Sequence, residues 1–395
     1  MEKKEKSGFA KTFSIWFGLG ALMFGTYCGA NMASGVYASQ YIVTLGGGWA
    51  LVWLLIFCAI MSFFCAVGLD FVRCYKLRNY NEYYLALWGV HKPDANPIAK
   101  GVVTVFFDIY STMMGLVTVG ATIALFAQLM NSLFNIPSAV ASIVGVLLFA
   151  GLTVNGAGFL RKFNGVMTVT LIVSLVAILI AVFSIRGDVI AQRVGNFNEG
   201  PEWGLNTVSG HASMFLAYCL TTSSWGSTLS NYGDRLRNKK DAIGSGVMIG
   251  LLVTLLFVMT GIIVLPFMPD LAKDSAPILS ICQQYLPTVL TAVYWVVVVF
   301  SVVSTAPSFT FNFSNRWATV WKTEKLSHKA KFFILSTGYL LVCWLISRMG
   351  LIAIVNKGYT LLGKIALPTV ALPLVVSIFR VYKKDKAEKE AVGKE

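Results

Sequence analysis

Three glycines and an asparagine interrupt a long apolar run in the stretch FGTYCGANMASG, residues 24–35. A glycine costs about 1 kcal/mol relative to alanine inside a helix, and an open backbone within a bilayer has no water to satisfy it. A broken helix leaves N–H groups at one end, which attract an anion, and C=O groups at the other, which attract a cation. The stretch therefore predicts a ligand site, with a substrate carboxylate near Ala30, Asn31 and Met32.

A second apolar run is interrupted in a similar way. Residues 220–229 read LTTSSWGSTL, which places hydroxyl side chains, a tryptophan and a glycine in mid-span. Interrupted spans at corresponding positions of two repeated halves are the best sequence indication of a transporter's binding site. We therefore expect non-helical backbone within 25–31 and 220–227, and the candidate substrate contacts in the second run are Thr222, Ser223 and Trp225.

A purely structural explanation is open for the first run. Gly25 and Gly29 have the four-residue spacing of small residues that let two membrane helices pack closely. The matching interruption in the second run favours a binding site over simple packing, because packing alone does not require both runs to be interrupted.

A carboxylate lies inside the third apolar run, VTVFFDIYSTMMG, where Asp108 is followed by Tyr110. A charged side chain at bilayer depth is costly unless it is paired or protonated, so such a residue indicates function. Asp108 could bind a substrate amine, hold a sodium ion or carry a proton, and Tyr110 could line the same cavity. The alternative is a structural acid that accepts hydrogen bonds from nearby hydroxyls.

The elements that carry these residues are membrane-spanning helices. The 395 residues are 56% hydrophobic and 13% charged, with a mean hydropathy of +0.70, whereas a soluble domain is about one-quarter charged. Apolar runs long enough to span a bilayer recur along the chain, which predicts an all-α polytopic membrane protein. We place ten spans, at roughly 12–40, 46–72, 99–130, 136–155, 163–187, 207–232, 242–267, 286–315, 330–350 and 354–379.

The net charge of +14 has a membrane explanation rather than a nucleic-acid one. Most of the 32 Lys and Arg residues fall before span 1 or after an even-numbered span. The positive-inside rule then places both termini in the cytoplasm of a multi-pass cell-membrane protein. The expected partners are the lipid bilayer and a small-molecule substrate, and no nucleic acid.

One membrane domain is expected over 12–380, after a cytoplasmic N-terminus over 1–11 and before a charged, disordered tail over 381–395. Spans 1–5 (12–187) run in the opposite sense to spans 6–10 (207–380). The topology therefore allows two inverted five-helix repeats, in which the two interrupted spans are equivalent.

No catalytic constellation stands out. The sequence has no HExxH, GxSxG, phosphate-loop or dinucleotide-binding motif, and His91, His211 and His328 fall at scattered depths. The seven cysteines form no CxxC pair and are interpreted as small buried apolar residues. The sequence therefore argues against an enzyme.

Residues 29–35, GANMASG, the following YIVTLGGGW, and SNYGDRLRNKKDAIGSGVMIG after span 6 resemble the YkvI-like amino-acid permease family. That family looks like a branch of the amino acid–polyamine–organocation superfamily. The resemblance implies the LeuT fold, with ten helices in a five-plus-five inverted repeat, helices 1 and 6 broken, and a transport function. Asn31 stands where the family has a glycine, and Val36 and Tyr37 stand where it has a Gln-Glu pair, so this chain lacks the carboxylate of that pair.

A sodium site is a further implication of the resemblance. Span 8 contains SVVSTAPSF, in which Ser304 and Thr305 form an adjacent hydroxyl pair. In LeuT-fold sodium symporters such a pair completes an ion site with carbonyls of the broken first helix, here near Gly25 and Cys28. Oxygen-only ligation suits a hard cation. The alternative is that the hydroxyls bond back to the helix while Pro307 kinks it.

These features predict a secondary transporter that moves an amino acid, or a similar small zwitterion or cation, by alternating access. Coupling is expected to sodium or to protons, and no other cofactor is expected. Some proton-coupled relatives carry a lysine in mid-span 5, and its absence from VTLIVSLVAILI favours sodium. The second hypothesis is a nutrient-sensing membrane receptor of the same fold without net transport.

Overall fold

The computed structural model describes residues 8–27, 29–154, 156–198, 208–323 and 325–392, and these ranges are helical apart from connecting turns. The α-helices, in chain order, are α1 (Gly8–Tyr27), α2 (Ala30–Ala33), α3 (Gly47–Tyr75), α4 (Tyr80–Leu87), α5 (Pro97–Phe134), α6 (Ser138–Val154), α7 (Gly156–Val194), α8 (Val208–Thr221), α9 (Trp225–Leu229), α10 (Lys239–Val264), α11 (Pro277–Tyr285), α12 (Thr288–Val320), α13 (His328–Ser347), α14 (Leu351–Ala353), α15 (Tyr359–Ala366) and α16 (Leu372–Val392). Short 3₁₀ or π-helical segments adjoin several of them, at Ala38–Ile42, Val43–Leu45, Thr222–Ser224, Ser230–Arg235, Leu265–Phe267, Ile354–Gly358 and Leu367–Ala371.

Seven helical segments in the described ranges are long and apolar enough to cross a bilayer. They match predicted spans 2, 3, 5, 7, 8, 9 and 10, and they are Gly47–Tyr75, Pro97–Phe134, Val169–Val194, Lys239–Phe267, Thr288–Ala318, His328–Ser347 and Leu351–Ala391. Predicted spans 1, 4 and 6 correspond to α1, α6 and α8, which have 20, 17 and 14 residues.

α3 and α10 form the central helix pair, and small residues let their backbones meet. A Cβ on Gly246 would lie 2.3 Å from the Ala66 Cα, and a Cβ on Gly250 would lie 1.9 Å from the Ser62 Oγ. Glycine at both positions is therefore required for this approach. α1 also packs against α10, so the pair supports the helix that leads into the first interruption.

Several segments rich in Lys and Arg meet at one end of the molecule, which we term the basic face. A salt bridge of 3.7 Å joins Arg78, just before α4, to Asp234, just before α10. The helices that start here have polar caps, since the side chains of Asn79, Asn238 and Ser327 each accept an N–H from their own first turn. Such caps satisfy donors that have no partner within the helix.

The C-terminal helix α16 packs against α3 on the basic face. The sequence predicts a disordered tail over 381–395, whereas α16 continues to Val392. Asp385 accepts two hydrogen bonds from Arg73, at 2.7 and 2.9 Å, and Lys384 donates to the Cys74 carbonyl at 2.7 Å. These contacts with the end of α3 explain the difference, because composition alone does not reveal a docking partner.

Candidate functional site

The first interruption separates α1 from α2. α1 ends at Tyr27 and α2 begins at Ala30, while Cys28 lies outside the described residues. The Gly29 carbonyl accepts the N–H of Met32 at 3.1 Å. A helix thus restarts at Gly29, and the first N–H groups of its turn have no partner within that helix.

Thr305 of α12 lies against this interruption. A Cβ added to Gly29 would be 3.2 Å from the Thr305 Oγ1, which is tighter than an ordinary contact. The Thr305 hydroxyl also donates to the Ser301 carbonyl at 2.8 Å, one turn earlier in the same helix. The structure therefore brings one predicted sodium ligand, Thr305, next to the interrupted first helix. Of the other predicted ligands, Ser304 lies in α12 and Gly25 in α1.

The second interruption is a ladder of hydroxyl groups. Six side chains in succession donate to the carbonyl three residues earlier, at 2.6 or 2.7 Å: those of Thr221, Thr222, Ser223, Ser224, Ser227 and Ser230. Hydroxyl groups that bond to nearby carbonyls compete with the α-helical ladder. The segment consequently tightens into a 3₁₀ turn at Thr222–Ser224 before α9 begins at Trp225.

This geometry differs from the expected non-helical backbone over 220–227. The backbone dihedrals of Thr221, Ser224 and Trp225 all fall in the right-handed helical region. The helix is tightened rather than unwound, because the side-chain hydroxyls occupy the carbonyls that an unwound segment would expose. The sequence pattern predicted where this helix is irregular, but it did not predict that the backbone forms a 3₁₀ turn there.

Three buried polar groups near the interruptions have no hydrogen-bond partner among the described residues. They are the Oδ1 of Asn31 in α2, the hydroxyl of Tyr110 in α5, and the hydroxyl of Tyr83 in α4, which lies against Gly226. Asn31 is 3% exposed and Tyr110 is 2% exposed. α2 packs against both α5 and α12. An unsatisfied buried polar group costs about 1–3 kcal/mol, which a bound polar ligand would recover.

Asp108 is bound to a cation rather than turned toward the interruptions. Arg316 of α12 donates from Nε and Nη2 to the two carboxylate oxygens, at 3.0 and 2.8 Å, and Tyr80 of α4 donates to Oδ1. Asp108 is 5% exposed. Burial, together with the hydrogen bond to Asp108, raises the pKa of the Tyr80 phenol. The pair therefore fastens α5, α12 and α4 together at the basic face.

The opposite face contains a cluster of tyrosines that the sequence did not suggest. We term Tyr37, Tyr41, Tyr218 and Tyr359 the tyrosine cluster. Tyr37 donates to the Tyr359 hydroxyl at 2.8 Å, and the rings of Tyr41 and Tyr218 stack with centroids 4.1 Å apart. These contacts join the segment after α2, α8 and α15. The sequence signal that could have indicated the cluster is the pair of tyrosines four residues apart, Tyr37 and Tyr41.

The segment around α11 closes over α2 on the same face. The Ile278 N–H donates to the Ser34 carbonyl at 3.2 Å, and Tyr294 donates to the Ala33 carbonyl at 2.6 Å. Gln40 donates to the Ala272 carbonyl at 2.9 Å. The carbonyls that end α2 therefore accept hydrogen bonds from other protein groups, and the α11 segment covers this end of α2.

Solved membrane-transporter structures share this fold. MhsT in complex with L-phenylalanine aligns with a TM-score of 0.57 at 14% identity, over 93% of this chain and 98% of that chain. The Eremococcus coleocola manganese transporter aligns with a TM-score of 0.58 at 17% identity, over 95% and 81%. A Na⁺-coupled sialic acid symporter, in a substrate-bound outward-open state, aligns with a TM-score of 0.51 at 14% identity, over 93% and 87%. No family model and no curated protein matches the sequence.

The chain is therefore an all-α, multi-pass membrane protein with the LeuT fold of these transporters, and none of the three is an enzyme. Their cargoes differ, and at sequence identities this low the similarity shows only a shared fold. The narrower resemblance to YkvI-like permeases stays a prediction.

Proposed function

We propose that the protein is a secondary active transporter that moves an amino acid, or a similar small zwitterion or cation, by alternating access. The observation that carries this proposal is the contact between Gly29 and Thr305, because it joins an interrupted helix to a hydroxyl group at the position where the fold allows an ion to bind. The LeuT fold supplies the frame in which two sets of helices can move relative to one another.

Two inverted five-helix units, 12–187 and 207–380, account for the packing. In this arrangement α12 is equivalent to α5, and α6 is equivalent to α13. The contact of α5 with α13 is therefore equivalent to that of α12 with α6, and both contacts are present. The contact of α1 with α10 is likewise equivalent to that of α8 with α3, and both occur. Spans 1 and 6 are then equivalent, which explains why both are irregular.

The ion site comprises backbone carbonyls near Gly25 and Cys28 together with the hydroxyls of Ser304 and Thr305. Sodium is favoured as the coupling ion because all these ligands are oxygens. The proximity of Thr305 to Gly29 supports the pairing of these two helices. Protons are the alternative, and they would not require the hydroxyl pair.

The substrate site lies between the two interruptions. Backbone N–H groups of Ala30 and Asn31 meet the substrate carboxylate beside Met32, whose own N–H donates to the Gly29 carbonyl. The substrate amine is met by the hydroxyls of Thr222 and Ser223. The unsatisfied Asn31 amide oxygen and Tyr110 hydroxyl support a polar ligand here, with Trp225 as an apolar wall. We assign Asp108 to closure of the basic face instead, since Arg316 occupies both of its carboxylate oxygens.

An organic cargo is favoured over a transition-metal ion. In the part of the chain that the structure describes, no three His, Cys, Asp or Glu side chains converge as metal ligands. Such side chains are the usual protein ligands of transition metals. We therefore do not propose manganese as the cargo of this protein.

The basic face is assigned to the cytoplasm, because Lys and Arg residues accumulate in cytoplasmic loops. The α11 segment, whose Ile278 N–H donates to the Ser34 carbonyl beyond α2, then lies on the extracellular side.

A ligand screen tests the proposal. Purified protein is heated with each proteinogenic amino acid, in sodium chloride and in choline chloride. Binding to the folded state raises the unfolding temperature, so at least one amino acid should do so, and more strongly in sodium. A screen in which no amino acid stabilises the protein in either salt would overturn the assigned substrate class.

A further inference from the structure

An apolar groove of about 680 Å³ runs between α5, α12 and α13 on the outside of the helix bundle. Its walls include Leu116 of α5, Phe313 of α12, and Ile334 and Val342 of α13. Ile334 and Val342 are 47% and 45% exposed. They lie eight residues apart on one helix, so the groove is at least about 12 Å long.

Gly338 forms an open stretch of the groove floor. A Cβ built on this glycine would meet no atom within 4 Å, unlike the glycines of the α3–α10 pair. A larger side chain at this position would therefore enter the groove without a clash. The groove has space for an extended apolar chain.

The groove ends in aromatic and cationic residues at the basic face. Trp317 and Trp321 line this end, and Trp317 donates to the Thr112 hydroxyl at 3.2 Å. Lys331 donates to the Trp321 carbonyl at 2.9 Å, and Lys322 follows Trp321 on the surface. Tryptophans mark the headgroup level of a bilayer, so these two lysines lie where a lipid headgroup would be.

We propose that this groove is a binding site for an anionic glycerophospholipid of the leaflet at the basic face. One acyl chain lies along Gly338 between α12 and α13, and the phosphate group meets Lys322 and Lys331. Charge complementarity selects the headgroup, because basic pockets between membrane helices attract anionic lipids. The apolar walls contribute affinity that does not depend on the headgroup.

The bound lipid would act on the Asp108–Arg316 pair. Arg316 precedes Trp317 in α12, and the Thr112 that receives the Trp317 hydrogen bond itself donates to the Asp108 carbonyl at 2.7 Å. The lipid therefore holds α5 and α12 together at the same level as that pair. Its binding favours the state in which α5 and α12 are in contact and the basic face is closed.

Native mass spectrometry of the purified full-length protein tests the site without any transport assay. Delipidated protein in detergent is titrated with phosphatidylglycerol or with phosphatidylcholine. Wild-type protein should bind one phosphatidylglycerol roughly tenfold more tightly than phosphatidylcholine. Gly338→Leu should weaken both lipids about tenfold, whereas the double variant Lys322→Gln/Lys331→Gln should remove only the preference for phosphatidylglycerol.

Matched controls are available on the same chain. A Cβ on Gly18 of α1 also meets no atom within 4 Å, so Gly18→Leu adds the same apolar group elsewhere. Lys386→Gln/Lys389→Gln removes two exposed lysines of α16. Both controls should bind lipid as the wild type does. If Gly338→Leu and Gly18→Leu bind lipid equally, the groove holds only bulk lipid and no specific one. If Gly338→Leu changes the oligomeric state, the occupant of the groove is a second copy of the chain. Either result overturns the proposal.

Discussion

The pairing of Asp108 with Arg316 shows how one buried charge is stabilised at the residue scale. The two-pronged hydrogen bond at 2.8 and 3.0 Å offsets the cost of burying a carboxylate that is 5% exposed. The sequence singled out Asp108 by its depth, but Arg316 belonged to a basic segment far along the chain. Partners separated by 208 residues emerge only from the fold.

Removing the Asp108 charge should destabilise the protein. Asp108→Asn leaves Arg316 without its carboxylate, and we expect a loss of about 2 kcal/mol, less than for a fully buried pair because the Arg316 side chain is 30% exposed. Thermal unfolding in detergent measures the loss. Asp234→Asn removes a carboxylate from an exposed pair, with side chains 75% and 79% exposed, and should have no measurable effect.

A double variant separates pairing from other roles of Asp108. Replacing both partners, Asp108→Asn/Arg316→Gln, should recover part of the stability lost in the single variant, because no unpaired cation remains. A double variant no more stable than Asp108→Asn would show that the carboxylate acts on something other than Arg316.

The contact between Gly29 and Thr305 predicts a sodium effect. An alanine at 29 would place its Cβ 3.2 Å from the Thr305 Oγ1 and displace a proposed ligand. Gly29→Ala should raise the sodium concentration needed for half-maximal thermal stabilisation about tenfold, equivalent to about 1.4 kcal/mol. Ser304→Ala/Thr305→Ala should do the same, while Gly18→Ala, which adds a methyl group in open space, should not. Unchanged sodium dependence in Gly29→Ala would remove the ion from this position.

At the element scale, the close pair of α3 and α10 organises the bundle. Gly246→Ala would place a Cβ 2.3 Å from the Ala66 Cα, and backbone atoms cannot rotate away. We expect the unfolding temperature to fall by several degrees. Gly261→Ala in the same helix is the control, since its nearest neighbour would be 3.7 Å away. If the two variants melt at the same temperature, the packing of this pair is looser than described.

The interrupted spans mark the limit of what sequence pattern could predict. Hydropathy located the helices because lipid requires long apolar segments, and the hydroxyl-rich run located the irregular turn after α8. The 3₁₀ turn at Thr222–Ser224 could not be predicted, because the bonding of six hydroxyls to their own backbone is one of several ways to use such residues. The tyrosine cluster depends on three separate helices meeting, which no local pattern encodes.

At the scale of the whole molecule, the fold and the charge distribution define a direction. The basic face is proposed to face the cytoplasm, and the α11 segment covers the end of α2 on the opposite side. Alternating access requires that this contact be reversible and linked to opening at the basic face. A receptor of the same fold would bind the same ligand without completing that cycle.

Accumulation in proteoliposomes tests the central claim of transport most directly. The amino acid that stabilises the purified protein is supplied in labelled form, with an inward sodium gradient, an inward proton gradient or no gradient. We expect saturable uptake that transiently exceeds the external concentration when the sodium gradient is present and that is absent in protein-free liposomes. Binding of the amino acid without accumulation under either gradient would contradict transport and identify the protein as a receptor.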